Sequence, residues 1–425
     1  MQTSKPGKPW TNCEQEKPLD LSVVFMTHYI PLYQVRVLQT IAARVREFHV
    51  LLSTPIEPNR DFTPDWSGLN VTVQKNMTMR RPWKHEAGFT DDLYVHVPTD
   101  TQSQLSRIDP DVVMSLELGA RSAGAARYCR RNPNTKLILC TYMSEFTENG
   151  RGWMRSLLRR RLTRQADAIT YNGPSCARYL RDTLHVPGPK LFPLPYAADD
   201  RHREATLPHA SPEPTRGKFL CVGQLSERKG VVPFARQVID YCQNHPEREL
   251  SLSFVGDGPM RGTLESIAPP ANLTFKLLGN RPAAELSKLY HQHSAVIAPT
   301  LADEWLLVVN EAMHASTPVI GSRYAQAVSS LVRHGVNGWQ YDPQDDDSLA
   351  DVLDTYFATS NAELAAMRSK AQDTVANRTP EWAASGAIDA LVALTSNPWR
   401  EADPIRRADA VRQHADVQLA SGLEA

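Results

Sequence analysis

Short runs of β-branched and apolar residues alternate along most of the chain with stretches whose apolar positions have helical spacing. That alternation predicts parallel strands covered on both faces by helices, since strands buried on both sides read as nearly continuous apolar runs. The fold class is α/β. In the first half the pattern predicts strands over 21–26, 49–53, 71–74, 112–116, 137–141, 168–171 and 191–194, with helices over 33–46, 120–131, 152–165 and 175–183. In the second half it predicts strands over 219–222, 252–255, 274–278, 295–298 and 318–321, with helices over 232–243, 283–291, 305–315 and 325–333. Helical spacing then continues through 348–358, 362–376 and 380–394.

The two series are separated by the polar, proline-containing stretch AADDRHREATLPHASPEPTRG at 197–217, which reads as a linker. A chain of 425 residues also exceeds the usual size of a single core. The expected architecture is therefore two doubly wound, Rossmann-like domains facing a cleft. The expected bounds are an N-terminal extension over 1–18, a first domain over 19–197, a linker over 198–217 and a second domain over 218–378. A crossing helix over 379–395 and a charged, weakly patterned tail over 396–425 follow. In such sheets, ligands bind beyond the carboxyl ends of the strands.

Lysine plus arginine equals aspartate plus glutamate at 47 each, so the overall charge gives no reason to expect nucleic acid as a partner. The six cysteines are scattered without a Cys-x-x-Cys pair and read as reduced core residues. No apolar run approaches the ~18 residues of a membrane span. The first twenty residues lack the apolar centre of a signal peptide, so a cytoplasmic location is expected. Local charge is another matter. The segment RGWMRSLLRRRLTRQ at 151–165 contains six arginines and no acid, interleaved with Trp153, Met154, Leu157, Leu158 and Leu162. Such a helix suits the surface of an anionic membrane, which would make the protein peripheral on the inner face. Alternatively, its apolar side packs on the first sheet and its arginines are solvated.

The segment with the richest chemistry is PTLADEWLLVVNEAMHASTPVI at 299–320, where Asp303 and Glu311 lie eight positions apart on a predicted helix. Ala302 and Asp303 are placed to cap its start, and free amides around Leu306 and Leu307 could hold a diphosphate. Upstream, FLCVGQLSERKGV at 219–231 reads as a strand ending in Gly223, followed by a loop with Gln224, Arg228 and Lys229. An ammonium fixed there would stabilise the negative charge that grows on a departing phosphate. Glycines after strands, as at Gly256, Gly258 and Gly279, either admit a ligand to the backbone or serve tight turns.

The 299–320 string resembles the acidic signature of the family-four retaining glycosyltransferases, the glycosyltransferase group 1 of the GT-B fold. That signature reads Glu, seven residues, Glu followed by Ala-Met, then Gly-x-Pro-Val-Ile. Asp303 here replaces the first glutamate, and Leu306 and Ser316 replace glycines. The resemblance implies that Glu311 holds ribose hydroxyls, that Asp303 faces the sugar, and that the amides near Leu306 and Leu307 meet the phosphates. It implies a phosphate contact for Lys229, with Arg228 substituting for the arginine that relatives carry where Gln224 stands. FVGDGPM at 254–260, with Gly256 and Gly258, resembles the family's Gly-x-Gly-Pro turn, and Leu278-Gly279-Asn280 resembles the loop bordering the base. The likeness is strongest over 217–345, where the Asn337-Gly338 pair is expected as a hairpin-like end. The crossing helix is likewise a family feature.

The first domain matches more loosely. TYMSEFTENGRG at 141–152 resembles acceptor domains of transferases that build envelope or capsular polysaccharides, without the histidine that many carry after this strand. Tyr142, Ser144 and Glu145 occupy the region, Glu117 ends the preceding strand, and His28 follows the first. The implied catalytic candidates are Asp303, Lys229, Glu117 and Glu145. The implied activity is retaining transfer of a sugar from a nucleotide sugar to a carbohydrate or lipid-linked acceptor, in polysaccharide or glycolipid biosynthesis. No cofactor is implied. Asp345-Asp346-Asp347 suits a helix start better than a metal, which GT-B enzymes generally do not need. The departures at Gln224, Asp303, Leu306 and Ser316 keep open a catalytically weak nucleotide-sugar-binding protein, and the architecture alone would also serve an epimerase or phosphorylase.

Overall fold

The computed structural model describes residues 17–58, 63–148, 152–198 and 215–395. Cys13 and most of the expected extension, the linker over 199–214 and the tail from 396 onward lie outside the described residues. The chain begins with β1 (Leu19–Thr27), α1 (Leu32–Ala42), β2 (Val45–Leu52) and β3 (Asn70–Val73), then forms the strands β4 (Asn76–Lys84) and β5 (Thr90–Pro98). It continues with α2 (Thr101–Ile108), β6 (Val112–Leu116), α3 (Ala120–Arg131), β7 (Lys136–Thr141), α4 (Glu145–Glu148), α5 (Trp153–Gln165), β8 (Ala168–Tyr171), α6 (Pro174–Arg178) and β9 (Leu191–Pro193). Seven of these strands form one parallel sheet in the order β3-β2-β1-β6-β7-β8-β9. Its interior strands are buried on both faces: β6, VVMSL, has no exposed position. That is why they read as apolar runs rather than alternations.

The second series is β10 (Lys218–Val222), α7 (Val231–Asn244), β11 (Leu250–Val255), α8 (Arg261–Ser266), β12 (Leu273–Gly279), α9 (Ala283–Gln292), β13 (Ala295–Ala298), α10 (Val308–His314), β14 (Val319–Ser322), α11 (Gln326–Leu331) and β15 (Gly338–Tyr341). Six parallel strands order as β12-β11-β10-β13-β14-β15. The helices α12 (Ser348–Ala358), α13 (Asn361–Val375) and α14 (Pro380–Thr395) end the described chain. α14 leaves the second sheet and buries Ala383, Ala384, Ala387, Ala390 and Leu391 in the core beneath β1 and α1. An Arg36–Glu381 ion pair at 3.0 Å lies beside that junction. The fold is GT-B: two parallel α/β units with helices on both faces.

Three local expectations need correction, and one element escapes the sequence pattern. The helix expected over 33–46 ends at Ala42, because Val45 already pairs with Leu19 at the start of β2. The helix expected to open at 305 begins at Val308. Asn337-Gly338 leads not into a hairpin but into β15, which runs parallel to β14. The sequence pattern does not reveal the antiparallel pair β4–β5: its residues are mixed in polarity, it holds a proline at position 82, and its strand ladder joins no other sheet.

Candidate functional site

Each sheet reverses its strand order once, between β1 and β6 in the first and between β10 and β13 in the second. Loops leaving such neighbours diverge and open a crevice. In the second sheet Phe219 pairs with Ala295 and Cys221 with Ile297, so the loop with Gly223 and Lys229 and the loop with Asp303 start side by side. Gly230 lets them touch. Its φ is +66°, and a Cβ there would stand 2.3 Å from the Pro299 carbonyl oxygen. The Arg228 carbonyl then accepts from Leu301 N at 2.9 Å and from Thr300 Oγ1 at 3.1 Å.

This strapping brings the charged residues together. Lys229 Nζ donates to Asp303 Oδ2 at 2.5 Å, and Arg228 Nη1 donates to the same oxygen at 3.0 Å. Burial pushes the Asp303 carboxyl up, but the Lys229 and Arg228 charges outweigh it and hold the group well below the usual carboxylate range. Burial lowers the Arg228 guanidinium, while Asp303 and Asp91 more than restore it, so its pKa ends above the ordinary value. Gly223, Gln224, Lys229 and Leu306 line one small cavity beside this cluster, with Cys221 and Thr300 in its wall.

Asp303 is not the helix cap expected. Its Oδ1 accepts from Trp305 N at 3.3 Å, and the residue flanking the helix is Leu307. Leu306 intervenes at φ +80°, a left-handed conformation that costs a side-chain-bearing residue about 1–2 kcal/mol. Ser316, the second site where glycine is replaced, adopts φ +55°. The backbone thus takes the left-handed turn at both positions despite the side chains. Glu311 lies in the first turn of α10, and its Oε2 accepts from Tyr290 Oη at 2.6 Å. Gly256 and Gly258 face protein backbone: a Cβ on them would meet Gly223 O at 2.0 Å and Leu225 O at 2.5 Å. Asn280, after β12, is exposed.

The first-domain candidates sit at the carboxyl ends of their strands. Glu117, at φ +69° after β6, is half exposed, with Oε2 3.9 Å from Arg121 Nη1. Arg121 is buried, donating to Ser53 Oγ at 3.2 Å and to Leu116 O at 3.1 Å. Burial pulls its guanidinium down, and Glu117 and Glu57 offset this only in part. Glu145 accepts from Arg178 Nε at 3.0 Å and from Ser175 Oγ at 3.3 Å, so it is held within its own domain. Ser144 is buried against Thr147. Tyr142 is engaged by Gln34 Nε2 at 2.7 Å, and His28 Nδ1 lies 3.4 Å from Thr27 Oγ1.

The two domains meet around the cluster. Asn172 Nδ2 donates to Glu304 O at 3.1 Å, and the Tyr196 ring stacks 6.1 Å from Trp305. On the other side, the β4–β5 turn reaches the loop after β10: Thr90 N donates to Glu227 Oε2 at 3.1 Å, and Asp91 Oδ2 accepts from Arg228 Nε at 2.9 Å. Asp91, Tyr290 and Arg121 are the site residues that sequence reasoning missed. None carries a local motif, and each acquires its place only through tertiary contact. Asp345-Asp346-Asp347 precedes α12, with Asp345 Oδ1 accepting from Asp347 N at 3.2 Å.

Residues 216–358 match the family described as glycosyl transferases group 1. A stretch of 135 residues is 32% identical to an uncharacterized glycosyltransferase of Methanocaldococcus jannaschii, covering 31% of this chain and 33% of that protein. Another of 160 residues is 27% identical to the sulfoquinovosyl transferase SQD2 of Arabidopsis thaliana, covering 36% and 29% respectively. The matched stretches thus span about a third of these curated relatives. Among solved structures, Anabaena HepE in complex with UDP superposes with a TM-score of 0.63 at 16% identity, over 88% of this chain and 100% of that one. Sucrose-phosphate synthase from Thermosynechococcus elongatus does so with 0.63 at 15%, over 88% and 99%. The resemblance to group 1 glycosyltransferases holds over 216–358, and the GT-B fold holds across both domains.

Proposed function

We propose, from a second domain that matches the group 1 glycosyltransferases, that this chain transfers a sugar from a nucleoside-diphosphate sugar to an acceptor hydroxyl with retention of configuration. The observation that carries the reading is the Lys229–Asp303–Arg228 cluster beside the cavity at the β10/β13 switch point. Support also comes from HepE, whose structures include complexes with UDP and with UDP-glucose.

In this reading the bond between the sugar's anomeric carbon and the phosphate oxygen breaks, and the electron pair leaves with the diphosphate. Lys229 and Arg228 stabilise that developing charge. The acceptor oxygen attacks from the face the phosphate leaves, and its proton passes to a phosphate oxygen, so no protein nucleophile is required. Asp303 stays ionised beside the sugar and keeps the two cations aimed at the crevice. Glu311, oriented by Tyr290, takes ribose hydroxyls. Glu117 and Glu145, beyond the carboxyl ends of first-domain strands, would contact a carbohydrate or lipid-linked acceptor, and the product would enter a polysaccharide or glycolipid.

A catalytically weak nucleotide-sugar-binding protein is the second reading, because Asp303 already neutralises the cations that a diphosphate would seek. Calorimetry with uridine, guanosine, adenosine and thymidine diphosphates, followed by donor consumption with and without an acceptor extract, tests both. Binding with acceptor-dependent consumption supports transfer. Binding without consumption supports the second reading, and no binding at millimolar nucleotide overturns both.

A further inference from the structure

α5 turns its side chains the opposite way from a helix docked by its apolar face. Arg159 is 2% exposed, ion-paired with Glu148 and donating to Tyr179 Oη at 2.9 Å. Arg160 donates twice to Thr183 O, at 3.0 and 3.2 Å, and Arg155 lies 3.7 Å from Glu148. Leu162 supplies the contact with the core. Meanwhile Trp153, Met154, Leu157 and Leu158 are 75%, 69%, 61% and 42% exposed. The packing expectation fails, because the apolar side does not lie on the sheet, and the membrane expectation needs amending, because Arg159 and Arg160 turn inward rather than toward a headgroup layer.

Met154, Leu157 and Leu158 form one wall of a groove of about 870 Å³, whose other wall is Ala126, Cys129 and Pro133 from α3 and the turn after it. Arg130, Lys136, Arg161 and Arg164 line the same groove. Its acid, Asp167, is occupied by Leu137 N at 2.8 Å. In a chain with no net charge this is a local concentration of cations around contiguous exposed apolar surface. Such patches mark interaction sites, and a cationic rim around an apolar floor complements an anionic headgroup layer over acyl chains. At 13 residues α5 is about 20 Å long, too short to span a bilayer but suited to lying in its plane.

We propose that α5 and the groove beside α3 form a docking surface for an anionic lipid bilayer, with Trp153, Met154, Leu157 and Leu158 entering the acyl boundary and Arg130, Arg161 and Arg164 meeting headgroup phosphates. The surface is separate from the donor crevice and does not depend on the transfer chemistry. The test is flotation of the full chain with phosphatidylcholine vesicles and with equal mixtures of phosphatidylcholine and phosphatidylglycerol. Wild type should float with the anionic vesicles at low salt and be released by high salt. Leu157→Ser with Leu158→Ser should abolish flotation, and Arg161→Gln with Arg164→Gln should weaken it by about thirty-fold, at roughly five-fold per arginine near an anionic surface. Both variants alter exposed positions and should keep the wild-type melting temperature; Trp153→Ser replaces the leucine pair if that pair fails to fold. Absent or equal flotation with the two lipids, or flotation indifferent to these substitutions, would overturn the proposal. So would self-association in sedimentation that the leucine pair abolishes, since a second copy would then cover the face.

Discussion

Asp91 and Arg228 join the two domains: the Asp91 carboxylate, beside the turn of the first domain's β4–β5 pair, accepts from Arg228 Nε at 2.9 Å while Arg228 Nη1 holds Asp303. The contact places a first-domain carboxylate one side chain away from the proposed donor site. Asp91→Asn should leave the melting temperature nearly unchanged but reduce donor turnover several-fold, because the Arg228 fork loses one of its two carboxylate anchors and keeps Asp303 and the Ala302 carbonyl. Turnover equal to wild type across low and moderate salt would show that the contact is merely structural.

Lys229→Ala should cost more in turnover than in folding. A charge-assisted contact to a leaving phosphate is worth about 1.5–3 kcal/mol, which corresponds to roughly ten- to a hundred-fold in rate. Single-turnover donor consumption by the purified variant measures it, and an unchanged rate would remove Lys229 from the mechanism.

Asp303→Asn should be destabilising as well as inactive. The carboxylate is largely buried and neutralises both Lys229 and Arg228, and removing one partner of such a cluster typically costs about 3–5 kcal/mol. Asp303→Glu should retain part of the activity, since the charge persists. Chemical denaturation separates the effects: Asn at wild-type stability would mean that the ion pairs contribute little.

Gly230→Ala should unfold the loop between β10 and α7. The substitution combines a left-handed φ with a Cβ 2.3 Å from the Pro299 carbonyl, and that atom belongs to rigid backbone at the end of β13. A loss of about 2 kcal/mol or more, read from urea midpoints, is expected.

Stability should fall on mild acidification because of His293. Its burial lowers the imidazole pKa from 6.5 to about 4, against a partly opposing hydrogen bond to Leu289 O, with Lys218 and Lys276 lowering it further. Nδ1 donates to Leu289 O at 2.6 Å, which leaves Nε2 to accept from Ser253 Oγ at 3.0 Å in the neutral ring. Between pH 6.5 and about 4 the unfolded chain binds a proton that the folded chain does not, so stability is full above 6.5 and declines as pH falls through that window. The loss approaches about 3 kcal/mol at the lower end. Asp303 adds its own loss from the foot of that window downward, as its unfolded carboxyl takes up protons around its ordinary value of 3.8. His293→Gln should flatten the slope of urea-derived stability between pH 6.5 and 4.

The strands of both sheets were legible in the sequence because parallel strands buried on two faces must be apolar throughout. The loops after β10 and β13 were legible as candidates through their own residues, Lys229 in one and Asp303 in the other, and through the family signature these resemble. β4–β5 left no such trace, since a pair outside both main sheets has no face fully buried against a core to impose an apolar run. The orientation of α5 was likewise hidden: apolar spacing names a stripe on a helix but does not say which neighbour it meets, and here Arg159 has a partner in Glu148 that draws it inward.

Residue order by itself determined the fold class, because strands buried on both faces announce themselves locally, and it offered Lys229, Asp303 and Glu311 as candidates through the signature they resemble. Only the tertiary structure decided that Asp303 is an ion-pair centre rather than a helix cap, since Arg228 and Lys229 approach it from more than seventy residues away. The same holds for Tyr290 beside Glu311 and for Asp91 beside Arg228. A charge's partner depends on which loops converge in space, and that follows from the strand order of the sheet and the meeting of two domains rather than from any spacing along the chain.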